Sequence, residues 1–151
     1  MFKKILCPVD FSEFTGEILA YATGLAKAFS AELHVIHVIP HLTYFTPYES
    51  FLTPDNLIAI EKNISTEVGQ NFDNLLKNID IPVKRVIKTG VIFVEIIDYI
   101  KEENIDLVVM GTHGRSGIEQ ILIGSVAEKV VRKAPCPVLT IRPKGKEFRM
   151  P

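Results

Sequence analysis

Cysteine is scarce in this chain: Cys7 and Cys136 are the two present in 151 residues. Neither sits in a Cys-x-x-Cys pair or beside clustered histidines, which argues against a disulfide framework and a structural zinc and predicts two unpaired thiols. Long apolar runs are missing as well. No stretch approaches the roughly 18 residues of a membrane span, and the apolar residues after Lys3 and Lys4 are too few for a secretory leader, so a cytoplasmic protein is expected. Neither sign of charge dominates. A net charge of −1 and a pI near 6.4 give no sequence-wide basic footprint for nucleic acid or an anionic membrane surface. Any anion site must therefore be local. Low-complexity tracts, internal repeats and linkers are also absent, and 47% hydrophobic against 23% charged residues excludes a disordered chain. The length suits one domain over 1–145 that buries about two thirds of its unfolded surface, followed by a polar tail over 146–151.

What is present alternates between two periodicities. The apolar run over 3–9 reads as a buried strand that stops at Pro8 and Asp10. Asp10 and Ser12 offer oxygens to cap the next helix, whose predicted stripe is Phe14, Ile18, Tyr21, Ala22, Leu25, Ala28 and Phe29. A second strand spans 33–39 and ends at Pro40. Residues 41–53 carry Tyr44, Phe45, Tyr48 and Phe51 without helical period and read as a loop. Thr53 as N-cap with Pro54 behind it opens a helix that keeps its apolar step to Asp80. A third strand follows over 83–88. The stretch 91–100 is rich in β-branched residues, yet a parallel sheet needs a crossover there, which predicts a helix over 93–103. Strand four spans 106–110. Ser125-Val126-Ala127-Glu128 fits a capping box for a helix to about Lys133, and strand five spans 138–142. Strands alternating with helices predict a doubly wound parallel α/β sheet, with its ligand beyond the carboxyl ends of the strands where strand order reverses.

The most unusual chemistry lies after strand four, in Gly111-Thr112-His113-Gly114-Arg115-Ser116-Gly117 and then Gly124-Ser125. Glycines let backbone N–H groups approach a phosphate, and a helix N-terminus favours its charge. The spacing is neither the Gly-x-Gly-x-x-Gly of a dinucleotide fold nor a Walker loop, which needs Gly-Lys-Ser/Thr. What remains is Gly-x2-Gly-x9-Gly-Ser between a strand and a helix.

That signature, together with Lys3-Lys4-Ile5-Leu6, Pro8-Val9-Asp10-Phe11-Ser12, His37-Val38, Met110-Gly111-Thr112-His113-Gly114, Gly124-Ser125-Val126-Ala127 and Pro135-Cys136-Pro137-Val138, resembles the ATP-binding subgroup of universal stress proteins over nearly the whole chain. The resemblance implies a five-stranded Rossmann-like sheet of order 3-2-1-4-5 and a homodimer paired through 138–142. It implies ATP as ligand, its phosphates bridged by Mg²⁺ or Mn²⁺, in a stress-response or signalling module. It also implies roles: Asp10 and Gly111 at the ribose, the Val38 backbone at adenine, and Gly114, Gly124, Ser125 and Val126 at the phosphates. Pro8, Val9, Met110, His113 and Arg115 complete the candidate site. Val91-Ile92-Phe93 departs from the proline and polar residues that many relatives carry after Gly90.

Each feature has a plainer alternative. Gly111, Gly114 and Gly117 serve equally as turn residues, Asp10 as a helix cap, and Arg115 as a solvated charge. His34 and His37 differ by an odd number on a strand and so face opposite sides, which argues against a metal cluster with His41. The aromatic residues of 44–51 read as packing, or as a lid or partner surface. Two functions stay open at this point: a nucleotide-binding module, and a slow ATP hydrolase or phosphotransferase with His113, Glu119 or Glu128 as its base. A nucleotide-independent dimeric interaction protein is the third.

Overall fold

The computed structural model describes residues 1–41, 53–113 and 123–144. Its elements follow the expected alternation: β1 (Lys4–Pro8), α1 (Thr15–Phe29), β2 (Glu32–Ile39), α2 (Pro54–Leu76), β3 (Val83–Thr89), α3 (Ile92–Glu103), β4 (Leu107–Gly111), α4 (Ser125–Lys133) and β5 (Val138–Ile141). The strands form one parallel sheet in the order β3-β2-β1-β4-β5. The chain winds outward from β1 to β3, returns beside β1 as β4, and winds out the other way. Order thus reverses between β1 and β4.

Period-two alternation sorts the strand residues into two cores. Ile5, Cys7, Leu33, Val35 and Val109 pack under α1 and α2, while Leu6, Ile36, Val108 and Met110 pack under α3 and α4. The central strands are buried on both faces, which is why they read as continuous apolar runs. Burial pushes the Cys7 thiol up to about 12, so it is an inert core group, and both cysteines are free thiols.

On α1 the buried stripe is Thr15, Ile18, Leu19, Ala22, Thr23 and Ala26, which keeps Ile18 and Ala22 of the predicted one, with Phe14 and Leu25 packed at the core's edge, and corrects the rest. Tyr21 and Phe29 stay 46% and 40% exposed. Both stripes satisfy a helical step. The small Ala22, common to both, and Ala26 let the helix lie close on β1 and β4, which turns the buried face toward Leu19, Thr23 and Ala26. Predicted capping by Asp10 and Ser12 is also corrected: the N-cap is Phe14, with no side-chain cap bond. Thr53 does cap α2, accepting from the Asn56 N–H at 3.3 Å with Pro54 in the first turn. That helix ends at Leu76 rather than Asp80. Its buried contacts, Val68, Phe72 and Leu76, all lie in its second half. The crossover requirement correctly assigned α3.

At the amino ends of the strands, Asp106 Oδ2 accepts from the N–H groups of Lys3 (2.8 Å) and Lys4 (2.9 Å), joining the starts of β1 and β4. These two bonds hold its carboxyl below the usual carboxylate range.

Candidate functional site

A cavity of about 290 Å³ opens beyond the carboxyl ends of β1, β2 and β4, at the reversal of strand order. It is lined by Pro8 at the end of β1 with Val9 and Asp10 after it, by Val38 on β2, by Met110, Gly111 and His113 at β4, and by Gly124, Ser125 and Val126 at the start of α4. Ten of the twelve candidate residues thus converge on one space. Gly114 and Arg115 lie outside the described residues, as do Glu119 and the aromatic stretch 44–51. A larger open groove of about 710 Å³ lies at the opposite end of β2 and β3. Ligands of doubly wound sheets bind at the carboxyl ends, so the smaller cavity is the candidate site.

Asp10 is fixed by the turn it closes. Its Oδ1 accepts from the Ser12 N–H at 2.9 Å and from the Thr15 hydroxyl at 3.1 Å. The turn is completed by Phe11, a non-glycine residue with φ of 57°. Phe11's ring lies 4.6 Å from the His37 imidazole and meets Phe72 edge-on at 5.2 Å.

Gly111 sits in tight packing. A Cβ there would stand 2.5 Å from Ile18 Cδ1 and 3.2 Å from the His113 carbonyl oxygen. The absent side chain lets α1 close against the end of β4. Beyond it, the Thr112 N–H donates to the Ile141 carbonyl at 3.0 Å, and the Gly124 N–H donates to the Thr112 carbonyl at 2.6 Å. The two ends of the glycine loop are therefore tied together. His113 Nδ1 lies 2.8 Å from the Thr112 hydroxyl.

That tie also sets the start of α4. Gly124 is the N-cap, with no side-chain cap bond, and Ser125 is the first helical residue, so the predicted capping box does not form. Glu128 instead pairs with Arg132 at 3.1 Å on the helix surface. The first helical bond runs from the Glu128 N–H to Gly124 O. This leaves the N–H groups of Ser125, Val126 and Ala127 without intrahelical partners at the cavity wall, where the helix dipole is positive. Among the described residues no lysine or arginine lines the cavity, so an anion there would rest on backbone donors.

The cavity wall has an apolar end as well, formed by Ile36, Val38, Pro40, Ile92 and Ile96. Ile92 belongs to the departure noted after Gly90 and supplies part of this wall from the first turn of α3. Sequence reasoning missed Thr15, His37, Thr112 and the α3 contribution. The position of His37 beside Val38 at the end of β2 was the available signal.

Fold and cavity together define a doubly wound α/β protein with a crevice at its switch point. The Universal stress protein family model matches residues 1–142. The chain belongs to this family. It is 31% identical over 147 residues to universal stress protein MJ0531 of Methanocaldococcus jannaschii, spanning 97% of this chain and 86% of that one. The solved structure of MJ0577 from the same organism superposes with a TM-score of 0.82 at 28% identity, over 96% of this chain and 99% of the other. A universal stress protein solved in complex with cAMP shares the fold at a TM-score of 0.65 and 19% identity, over 93% and 97% of the two chains.

Proposed function

We propose that this protein is an ATP-binding universal stress protein in which the nucleotide occupies the switch-point cavity. The observation that carries the reading is the division of that cavity. Its apolar wall of Ile36, Val38, Pro40, Ile92 and Ile96 suits a base, Asp10 offers a carboxylate for ribose hydroxyls, and the first-turn N–H groups of Ser125, Val126 and Ala127 suit phosphate. Gly114 and Arg115 extend the phosphate end in this reading. Asp10 is the one carboxylate among the described lining residues, so Mg²⁺ or Mn²⁺ would be held mainly by the phosphates it bridges. The cAMP complex of the distant relative adds a case in which this fold holds an adenine nucleotide.

The reading favours holding over cutting. Efficient phosphoryl transfer needs a base or positioned water aligned on the γ-phosphate. In this cavity Asp10 Oδ1 holds its own turn, and His113 Nδ1 meets the neighbouring threonine. The module is proposed to act as a homodimer paired through the outer edge of β5, whose Leu139 is 39% exposed.

The test is direct. Purified protein is denatured and the supernatant chromatographed for adenine nucleotides, and melting is followed with ATP, ADP, AMP and cAMP. ATP at about 100 times Kd adds roughly 2.7 kcal/mol to stability. No released nucleotide and no shift at millimolar ATP overturns the reading. Phosphate release of about one per second or faster with Mg²⁺ would make the protein an enzyme instead.

A further inference from the structure

The β1–β2 ladder stops one bond short of its regular continuation. In a parallel pair, a residue whose N–H bonds one carbonyl offers its own carbonyl to the N–H two residues further along the neighbour. The Val9 N–H donates to Ile36 O at 2.8 Å, so the regular next bond would run from the Val38 N–H to Val9 O. Strand pairing ends instead at Pro8↔Ile36. The Val9 carbonyl lies 2.9 Å from His37 Nδ1. A carbonyl only accepts, so Nδ1 carries the proton and donates.

Strand parity shows where the Val38 amide then points. The Glu32 N–H bonds Lys3 O on the β1 side, whereas Ile39 O receives the Gly90 N–H on the β3 side. Residues 32, 34, 36 and 38 therefore turn their backbone groups toward β1. At Val38, β1 has already left the sheet, and the space it leaves is the cavity. The departure is braced: Phe11 turns through left-handed backbone, and its ring packs on the same imidazole.

We propose that His37 is the positioning residue for base recognition. Its imidazole holds the Val9 carbonyl toward its own face of the sheet and away from the ladder direction, so the Val38 N–H stays out of the ladder and is presented to the nucleobase. The inference rests on the nucleotide reading above and adds a selectivity to it. A backbone N–H donor fits a ring-nitrogen acceptor of adenine and opposes the N1–H of guanine, so the arrangement favours ATP over GTP.

The experiment compares wild type, His37→Leu and His37→Asn, whose amide nitrogen falls near the position of Nδ1. Amide hydrogen exchange at Val38 is measured by NMR without nucleotide, and ATP and GTP affinities by calorimetry. In the wild type Val38 exchanges faster than Ile36 and becomes protected when ATP binds. In His37→Leu the ladder bond forms, Val38 is protected without nucleotide, and the ATP:GTP preference falls by about tenfold, the scale of one hydrogen bond. His37→Asn restores both. Should His37→Leu not fold, His37→Gln replaces it, because its amide nitrogen falls nearer Nε2 and misses the Val9 carbonyl. ATP binding with Val38 exchange and the ATP:GTP ratio unchanged in these variants overturns the proposal alone. Failure of the wild type to bind ATP overturns the nucleotide reading, and the recognition role with it.

Discussion

Gly111→Ala isolates packing from ligand chemistry. The new methyl would stand 2.5 Å from Ile18 Cδ1, an atom of a side chain only 6% exposed and held among core residues of α1 and the sheet. Ile18 also lines the switch-point cavity, so the clash is relieved either by a rotamer change that turns Cδ1 toward that space or by a shift of α1. Overpacking of this kind costs about 1–3 kcal/mol. Ile18→Val removes the clashing Cδ1, at its own cost of about 0.5–1.5 kcal/mol. If the clash is the cause, the double variant is more stable than the sum of the singles predicts, by about 1 kcal/mol. The 3.2 Å approach to His113 O remains in both alanine variants and sets a residual cost. Urea unfolding of nucleotide-free protein measures all four corners of the cycle. On the thermal scale about 1 kcal/mol is roughly 2–4 °C for a chain of this size. Strict additivity, or an unaltered Gly111→Ala, would refute the packing argument and return Gly111 to the turn-residue or ligand explanation.

Gly124 has φ of −62°, which valine adopts without strain, and it lines the cavity. Gly124→Val should therefore weaken ATP binding at least about tenfold, read by calorimetry, while the nucleotide-free melting temperature moves by less than about 4 °C. The Asp106 carboxyl is held low by the Lys3 and Lys4 amides, so its contribution is present above its unfolded pKa and is lost as pH falls through the folded value. Unfolding at several pH values should show Asp106→Asn less stable than wild type at pH 7, with the gap narrowing below about pH 4. A gap independent of pH would mean the asparagine replaces the carboxylate in kind. Leu139→Glu places a charge on the exposed outer strand and should shift the sedimentation of a dimer toward monomer. An unchanged sedimentation profile would move the interface elsewhere.

The alternation of strands and helices was legible because the central strands are buried on both faces and each helix on one. Even the ambiguous stretch around Ile96 and Ile97 resolved once a parallel sheet demanded a crossover. What sequence hid were choices made between elements. The α4 capping box fails because the Gly124 amide is bonded to Thr112, a contact across the loop that fixes the helix start one residue earlier than Ser125 suggested. Two overlapping stripes on α1 satisfied the helical period, and only contact with the sheet favoured Leu19, Thr23 and Ala26 over Tyr21 and Phe29. Val38 entered the candidate site through resemblance, and strand parity then gave it a physical reason. His37 did not enter it. Its part depends on a side chain standing in for a backbone donor, which no periodicity encodes.

The bond between Thr112 and Gly124 has a consequence for how such a protein diversifies. Closing a loop costs entropy that grows with its length, and here closure is secured at the base by a short bond between residues that the sheet and α4 already hold. The end of β4 and the start of α4 are therefore held as one corner, and the first-turn N–H groups of α4 keep their place at the crevice through contacts the frame itself supplies. Substitutions in the crevice wall can then change what it accepts while this corner keeps its form, so new ligand preferences are open to descendants of this scaffold without rebuilding it.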